Sequence, residues 1–192
     1  MAYCGLRWGE LAALRVRHVD PLRGRLTVAE TMVEVHGRAV FGPPKTQQMR
    51  SVPVPRFLRE ALAAQCAGRS ADQFLFTGPR GGVLRGGSFR RSVFDAAARS
   101  VGLDGLVPHE LRHTAASLAI AAGATVKGVQ AMLGHASAAM TLDRYGHLFD
   151  DELDAVAERL DAAVKARSDA ARVSRSCHGN EIVELAGRTS GR

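Results

Sequence analysis

Six side chains, in a fixed order along the chain, could together act on a phosphate: Arg7, Lys45, His109, Arg112, His135 and Tyr145. Arg7 lies in Gly5-Leu6-Arg7-Trp8-Gly9-Glu10-Leu11, Lys45 in Pro44-Lys45-Thr46, and His109 and Arg112 in Pro108-His109-Glu110-Leu111-Arg112-His113-Thr114. His135 follows Leu133-Gly134, and Tyr145 ends Leu142-Asp143-Arg144-Tyr145. A phosphodiester under attack gathers negative charge on its nonbridging and leaving oxygens. Two guanidiniums can bind the nonbridging oxygens in planar, bidentate geometry. Preorganised donors of that kind contribute about 3–4 kcal/mol each in the transition state. Lys45 can protonate a leaving oxygen. A free imidazole can exchange a proton near neutral pH, and Tyr145 is a nucleophile once positive charge or a base lowers the cost of ionising a phenol of pKa about 10. The chemistry implied is phosphoryl transfer through a covalent tyrosine intermediate.

The elements that must hold these groups follow from periodicity and punctuation. Arg7 to Leu14 reads as a short helix. Arg25 to Val35, Ala39 to Phe41 and Arg50 to Val54 read as strands of a three-stranded antiparallel meander, with turns at Gly37 and at Lys45-Thr46-Gln47-Gln48. The rest is mostly helical. A helix opens at Phe57, and a second, capped by Ser88, carries Val93, Phe94, Ala97 and Val101. Pro108 begins a third, whose core face is Leu111, Ala115 and Leu118 and whose rim carries His109 and Arg112 at i, i+3. Thr125 and Gly134 bracket a fourth, and Ser137 starts a short fifth ending near Tyr145. Glu152 to Ala171 is strongly amphipathic through Leu153, Val156, Leu160 and Val164, and residues 173–192 read as a disordered tail. The fold class is α+β: a mostly helical domain with a small three-stranded antiparallel sheet near the N-terminus.

Composition narrows the partners. The 192 residues are 46% hydrophobic, enough for a sizeable core, and carry a net charge of +7, which favours a polyanion, nucleic acid first. No apolar run is long enough to span a membrane and no signal-peptide pattern opens the chain. Three scattered cysteines, Cys4, Cys66 and Cys177, suit a reducing compartment and make neither a disulfide nor a zinc framework. The Gly78 to Gly87 loop lacks the Gly-Lys-Ser/Thr of a phosphate-binding P-loop. His109-Glu110-Leu111-Arg112-His113 matches a zinc-protease helix only superficially; such a site would need a third ligand downstream and would not explain the basic charge. No metal or cofactor is expected, and His113 reads as a structural hydrogen-bonder.

Each motif alone is weak; an arginine near a helix start or a lysine in a turn is ordinarily a solvated surface residue. In order, they resemble the tyrosine recombinase (phage integrase) family over roughly residues 1–165. Gly5 to Leu14 looks like its first-arginine box, Lys45-Thr46 and Arg50-Ser51-Val52-Pro53-Val54 like its hairpin lysine and following strand, and His109 to Thr114 like its second box. Leu133-Gly134-His135 and Tyr145 complete the set, with 33 residues from Arg112 to Tyr145. The resemblance implies site-specific DNA recombination, integration or excision, by breakage and rejoining through a 3′-phosphotyrosyl bond, without ATP or metal. It implies Tyr145 as nucleophile, Arg7 and Arg112 as the phosphate clamp and Lys45 as general acid. His109 would orient the phosphate or accept a proton, His135 would hydrogen-bond the phosphate, and Glu10 would support the first box. It further implies double-stranded DNA as partner, a homotetrameric synapse, a cytoplasmic, nucleoid-associated location and a mobile-element setting. The helix after Tyr145 would dock on a neighbouring protomer or pack within the chain. Residues 1–172 are expected to be the catalytic domain, lacking the family's core-binding domain and first catalytic helix. The alternatives are a non-catalytic DNA-binding remnant and strand nicking and rejoining of the type IB topoisomerase kind.

Overall fold

The computed structural model describes residues 1–45, 48–149 and 152–177. Contacts divide the chain into two units, Met1–Phe149 and Asp150–Arg192. In the first, α1 (Trp8–Ala12) leads through a 3₁₀ turn to β1 (Val19–Asp20), β2 (Arg25–Val28), β3 (Thr31–Val35), β4 (Arg38–Gly42) and β5 (Arg50–Pro53). Helices follow: α2 (Arg56–Cys66), α3 (Gly86–Phe89), α4 (Asp95–Ser100), α5 (Glu110–Ala121), α6 (Val126–Leu133) and α7 (Ala138–Tyr145). This is the α+β class expected. The second unit contains α8 (Glu152–Cys177), on which Val156, Leu160 and Val164 recur at four-residue spacing and so share a face. The helix runs to Cys177, into the stretch expected as tail; residues 178–192 lie outside the described residues. Among the described residues no helix is long and apolar enough to cross a membrane.

The antiparallel strands are not the expected meander. The three-stranded sheet has the order β1-β2-β5, whereas among the described residues β3 and β4 pair only with each other. The stretch read as one strand, Arg25 to Val35, breaks at Ala29-Glu30 into β2, paired with β5, and β3, paired with β4. Alternation along a strand reports which face is buried but not which strand lies beside it. The hairpin turns at His36-Gly37, both with positive φ, 48° and 74°, the two-residue geometry that suits the twist of paired strands. Leu26, Val28 and Val52 of the sheet and Val54 beyond it pack with Leu6, Leu14 and Leu75 in the larger core. A second core joins Ala116 and Ile120 of α5, Val129 and Leu133 of α6 and Tyr145 of α7.

Two helices differ from the sequence reading. Ser88 lies inside α3 rather than capping the next helix; Arg85 occupies the N-cap, and Arg90–Phe94 forms a π-helical turn running into α4. On α5 the buried residues are Arg112, Ala115, Ala116 and Ile120, while Leu118 is 46% exposed. Arg112 is therefore in the core face and not on its rim. An arginine can turn inward here because its guanidinium finds carbonyl acceptors, as the site geometry shows.

Thr125 and Ser137 do cap α6 and α7, their hydroxyls accepting from the backbone N–H groups of Gly128 at 3.1 Å and Met140 at 3.2 Å. Gly9 places α1 directly on β3: a Cβ there would fall 2.3 Å from the Met32 carbonyl oxygen. No larger residue fits without moving the first helix and the arginine before it.

Candidate active site

The site is assembled around one carboxylate and one helix end. The Glu10 side chain, 1% exposed, receives four hydrogen bonds. Oε1 accepts from Arg7 Nη1 at 2.9 Å and Arg50 Nη1 at 2.8 Å; Oε2 accepts from Arg50 Nη2 at 2.6 Å and from the Arg7 backbone N–H at 2.8 Å. The last bond is half of a capping box at the start of α1. Burial alone would raise the Glu10 carboxyl, but the hydrogen bonds and charge of Arg50, with the two bonds from Arg7, outweigh it and hold the group below its ordinary value.

The C-terminal carbonyls of α6, which have no partner within their helix, accept from three arginines. Met132 accepts from Arg50 Nε at 3.2 Å, Leu133 from Arg112 Nη2 at 2.7 Å and Gly134 from Arg7 Nη2 at 3.3 Å. Arg112 Nη1 also donates to the Gly5 carbonyl. Cations are favoured at this end of a helix. Gly134 takes the left-handed C-cap conformation, φ 65°, and a Cβ there would meet Arg50 Nη1 at 2.9 Å. The glycine thus both ends the helix and admits the guanidinium. Three arginines and one glutamate leave a net charge of +2 in a largely buried cluster. Burial, reinforced by the Arg7 charge, lowers Arg112 to about 10, so it stays protonated at neutral pH.

Arg7, His109, Arg112 and His135 line one cavity of about 460 Å³ with Met140, Asp143 and Arg144. Lys45 lines an adjoining groove of about 790 Å³ that shares Arg7, His135 and Met140 with the cavity and also takes in Arg50, Lys127 and Gln130. The expected residues thus divide between two openings with common walls. Lys45 makes no hydrogen bond or ion pair among the described residues; Thr46 and Gln47, quoted with it, lie outside them.

His135 is fixed from three sides. Its backbone N–H donates to the Gln130 carbonyl at 3.1 Å, its own carbonyl accepts from Gln130 Nε2 at 3.2 Å, and Nδ1 lies 3.0 Å from the buried Thr141 hydroxyl. Burial, then the charges of Arg112, Arg7, Arg144 and Arg50, lowers it to about 4. The ring is neutral at pH 7 and, with Nδ1 engaged, offers Nε2.

Tyr145 ends α7 and is 4% exposed. Its ring lies nearly parallel to His135, with centroids 6.4 Å apart and an interplanar angle of 6°. Its hydroxyl is 2.8 Å from Nδ1 of His113. Burial raises the phenol pKa, against the pull of Arg112 and Arg144. His113 and His109 stack edge to face at 5.1 Å. His113, expected from the sequence to be a structural hydrogen-bonder, has the proposed nucleophile itself as its partner. Arg50 and Thr141 were not singled out. Arg50 stood in the strand segment after Lys45, and only the pairing of β5 with β2 and its packing on α6 bring it to Glu10. Among the described residues no three His, Cys, Asp or Glu side chains are grouped to hold a metal ion.

The Phage integrase family model matches residues 1–152. The tyrosine recombinase XerC of Azotobacter vinelandii is 34% identical over 169 residues, covering 86% of this chain and 51% of that protein. XerC of Corynebacterium glutamicum is 43% identical over 153 residues, covering 78% and 44%. The chain spans about half the length of these relatives. Among solved structures, the Tn1549 transposon integrase in complex with transposon right end DNA superposes with a TM-score of 0.68 at 26% identity, over 83% of this chain and 56% of that one. A match over most of the chain and a like fold, on a chain whose cavity brings together both arginines and both histidines expected of it, place the protein in the phage integrase family of tyrosine recombinases.

Proposed function

We propose that the chain is the catalytic part of a site-specific DNA recombinase that breaks and rejoins strands through a 3′-phosphotyrosyl intermediate. The observation that carries this is the cavity shared by Arg7, His109, Arg112 and His135, with Tyr145 packed against His135. Arg7 and Arg112 bind the nonbridging oxygens of the scissile phosphate. Their alignment is set before DNA arrives, because carbonyls and Glu10 fix the guanidiniums. Neutral His135, its Nδ1 held by Thr141, donates from Nε2 to a phosphate oxygen. Tyr145 attacks phosphorus, and Lys45, on the turn between β4 and β5, protonates the departing 5′ oxygen. His109, on the cavity wall, orients the phosphate or accepts a proton. The reverse attack, by a 5′-hydroxyl on the phosphotyrosyl bond, rejoins strands, so bond energy is conserved and no ATP is consumed. The net charge of +7 supports double-stranded DNA as substrate. Recombination joins two duplexes and so calls for a homotetrameric synapse, acting on the nucleoid in the cytoplasm. The relatives' printed names, tyrosine recombinase and integrase, support the same class.

The test uses a library of nicked duplexes with randomised sequence around the nick, in which cleavage releases a short fragment and traps the enzyme on DNA. The wild-type chain forms a covalent adduct stable to denaturant, and Tyr145→Phe forms none. Adduct persisting in the phenylalanine variant would refute the nucleophile; salt-sensitive binding with no wild-type adduct would reduce the chain to a DNA-binding module.

A further inference from the structure

The second box of the sequence contains two histidines, and the chemistry above leaves one of them, His113, without a task. It is nonetheless the side chain in hydrogen-bond contact with the phenol. Tyr145 Oη lies 2.8 Å from His113 Nδ1, within reach for direct proton transfer, and no hydrogen bond joins Tyr145 to His109 among the described residues. We propose that His113, rather than His109, is the general base that takes the Tyr145 proton as the phenol attacks phosphorus; this rests on the phosphotyrosyl reading above.

The role requires the phenol to donate and Nδ1 to accept. A phenol whose ionisation is disfavoured by burial keeps its proton at neutral pH, and so can donate it. His113 is kept neutral, hence able to accept, by burial and by the charges around it. On its own helix and the turn before it these are His109, Arg112 and the opposing Glu110; from α7 it is Arg144, beside the uncharged phenol of Tyr145. The 3₁₀ turn Gly146–Leu148, which also packs on α5, brings one further titratable side chain, His147. His109 stacks edge-on against the His113 ring. His109 therefore lines the phosphate cavity and props the base, while His113 faces the nucleophile.

The step balances without another reagent. The Oη–phosphorus bond forms as the phosphorus–5′ oxygen bond breaks; the phenolic proton passes to His113 Nδ1, and the 5′ oxygen takes a proton from Lys45. In rejoining, the 5′-hydroxyl attacks phosphorus and returns its proton to Lys45, the Tyr145 oxygen leaves, and the His113 imidazolium gives the phenol back its proton. A residue one position beyond the arginine of the box thus works with the nucleophile 32 residues downstream.

Two measurements test this. In the free protein, ¹⁵N NMR of His113 shows Nδ1 as the unprotonated nitrogen and Nε2 as N–H; a proton on Nδ1 at neutral pH overturns the assignment whatever the DNA result. With the nicked-duplex library, His113→Gln lowers the rate of adduct formation about 10²-fold. It also removes the rise of that rate with pH through His113 deprotonation, although glutamine preserves bulk and a hydrogen-bond acceptor. His113→Ala is slowed as much, and added imidazole restores part of its rate. Glutamine at the wild-type rate, or loss of the pH-dependent arm in His109→Gln but not in His113→Gln, refutes the role of His113 alone. A wild-type chain that forms no adduct refutes the phosphotyrosyl reading and with it any base for it.

Discussion

The arginine cluster and the Lys45 turn stand against each other. In the cluster, every guanidinium has a fixed acceptor: Glu10 holds Arg7 and Arg50, and the end of α6 holds all three arginines. At the turn, Lys45 faces the same groove from between two strands with no partner among the described residues. The arginine charges, which in the proposed reaction are in place before the phosphate arrives, are built into the core, where the carboxylate and carbonyl acceptors compensate the loss of water. Lys45, which delivers a proton late in the proposed reaction, sits on a turn, at little cost to stability. The same cation chemistry is thus divided by whether it has to stay still or move.

The comparison breaks most sharply at Glu10. Glu10→Ala leaves the half-buried Arg7 and Arg50 without their counter-ion and is expected to cost about 3 kcal/mol of folding stability, read by urea denaturation. Arg112→Lys cannot reach both the Gly5 and Leu133 carbonyls; it should cost about 1–3 kcal/mol through an unmet acceptor, and slow adduct formation on nicked DNA. A loss in Glu10→Ala no larger than that of an ordinary surface substitution would mean that the cluster is held no more firmly than the turn.

Acid sharpens it further. The folded-state pKa of Glu10 is depressed, so its contribution is present above the unfolded carboxylate value of 4.5 and lost as pH falls through the lower folded one. His135, lowered from 6.5 to about 4, binds more protons unfolded than folded between those values. Its contribution is present above pH 6.5 and declines as pH falls towards 4. Chemical denaturation across this range should show a loss between pH 6.5 and 4 that is smaller in His135→Gln, and a further loss below pH 4.5 that is absent in Glu10→Gln. The smallest stability effect belongs to Lys45→Ala, within about 0.5 kcal/mol of wild type. That variant should still cleave slowly, and a 5′-bridging phosphorothioate, whose leaving group needs no proton, should restore its rate. If the sulfur substrate gives no recovery, Lys45 is not the acid.

Much of this site was legible because its residues sit at element boundaries with local signatures. Thr125, Gly134 and Ser137 mark the ends of α6 and α7 from their own chemistry, and these fix where His135 and Tyr145 fall. The second strand of the expected meander and the core face of α5 were not legible, for different reasons. The break at Ala29-Glu30 depends on which strand each half pairs with. The inward turn of Arg112 depends on carbonyls supplied by Gly5 and Leu133, far away in sequence, and a hydrophobic-periodicity argument assigns a charged residue to the rim because it counts no such partner.

By itself, the sequence determined which chemistry to expect: two arginines, a lysine, two histidines and a terminal tyrosine in order point to the proposed attack on a phosphate, since each residue type carries its donor, acceptor or nucleophile with it. Only the tertiary structure decided how those groups are divided. It buried Glu10 among arginines, split the cations between a fixed cluster and a turn, and gave Tyr145 to His113. The reason is that hydrogen-bond partnership is a property of space: 3 Å contacts between α1, β5, α5, α6 and α7 join residues whose separations along the chain carry no trace of them.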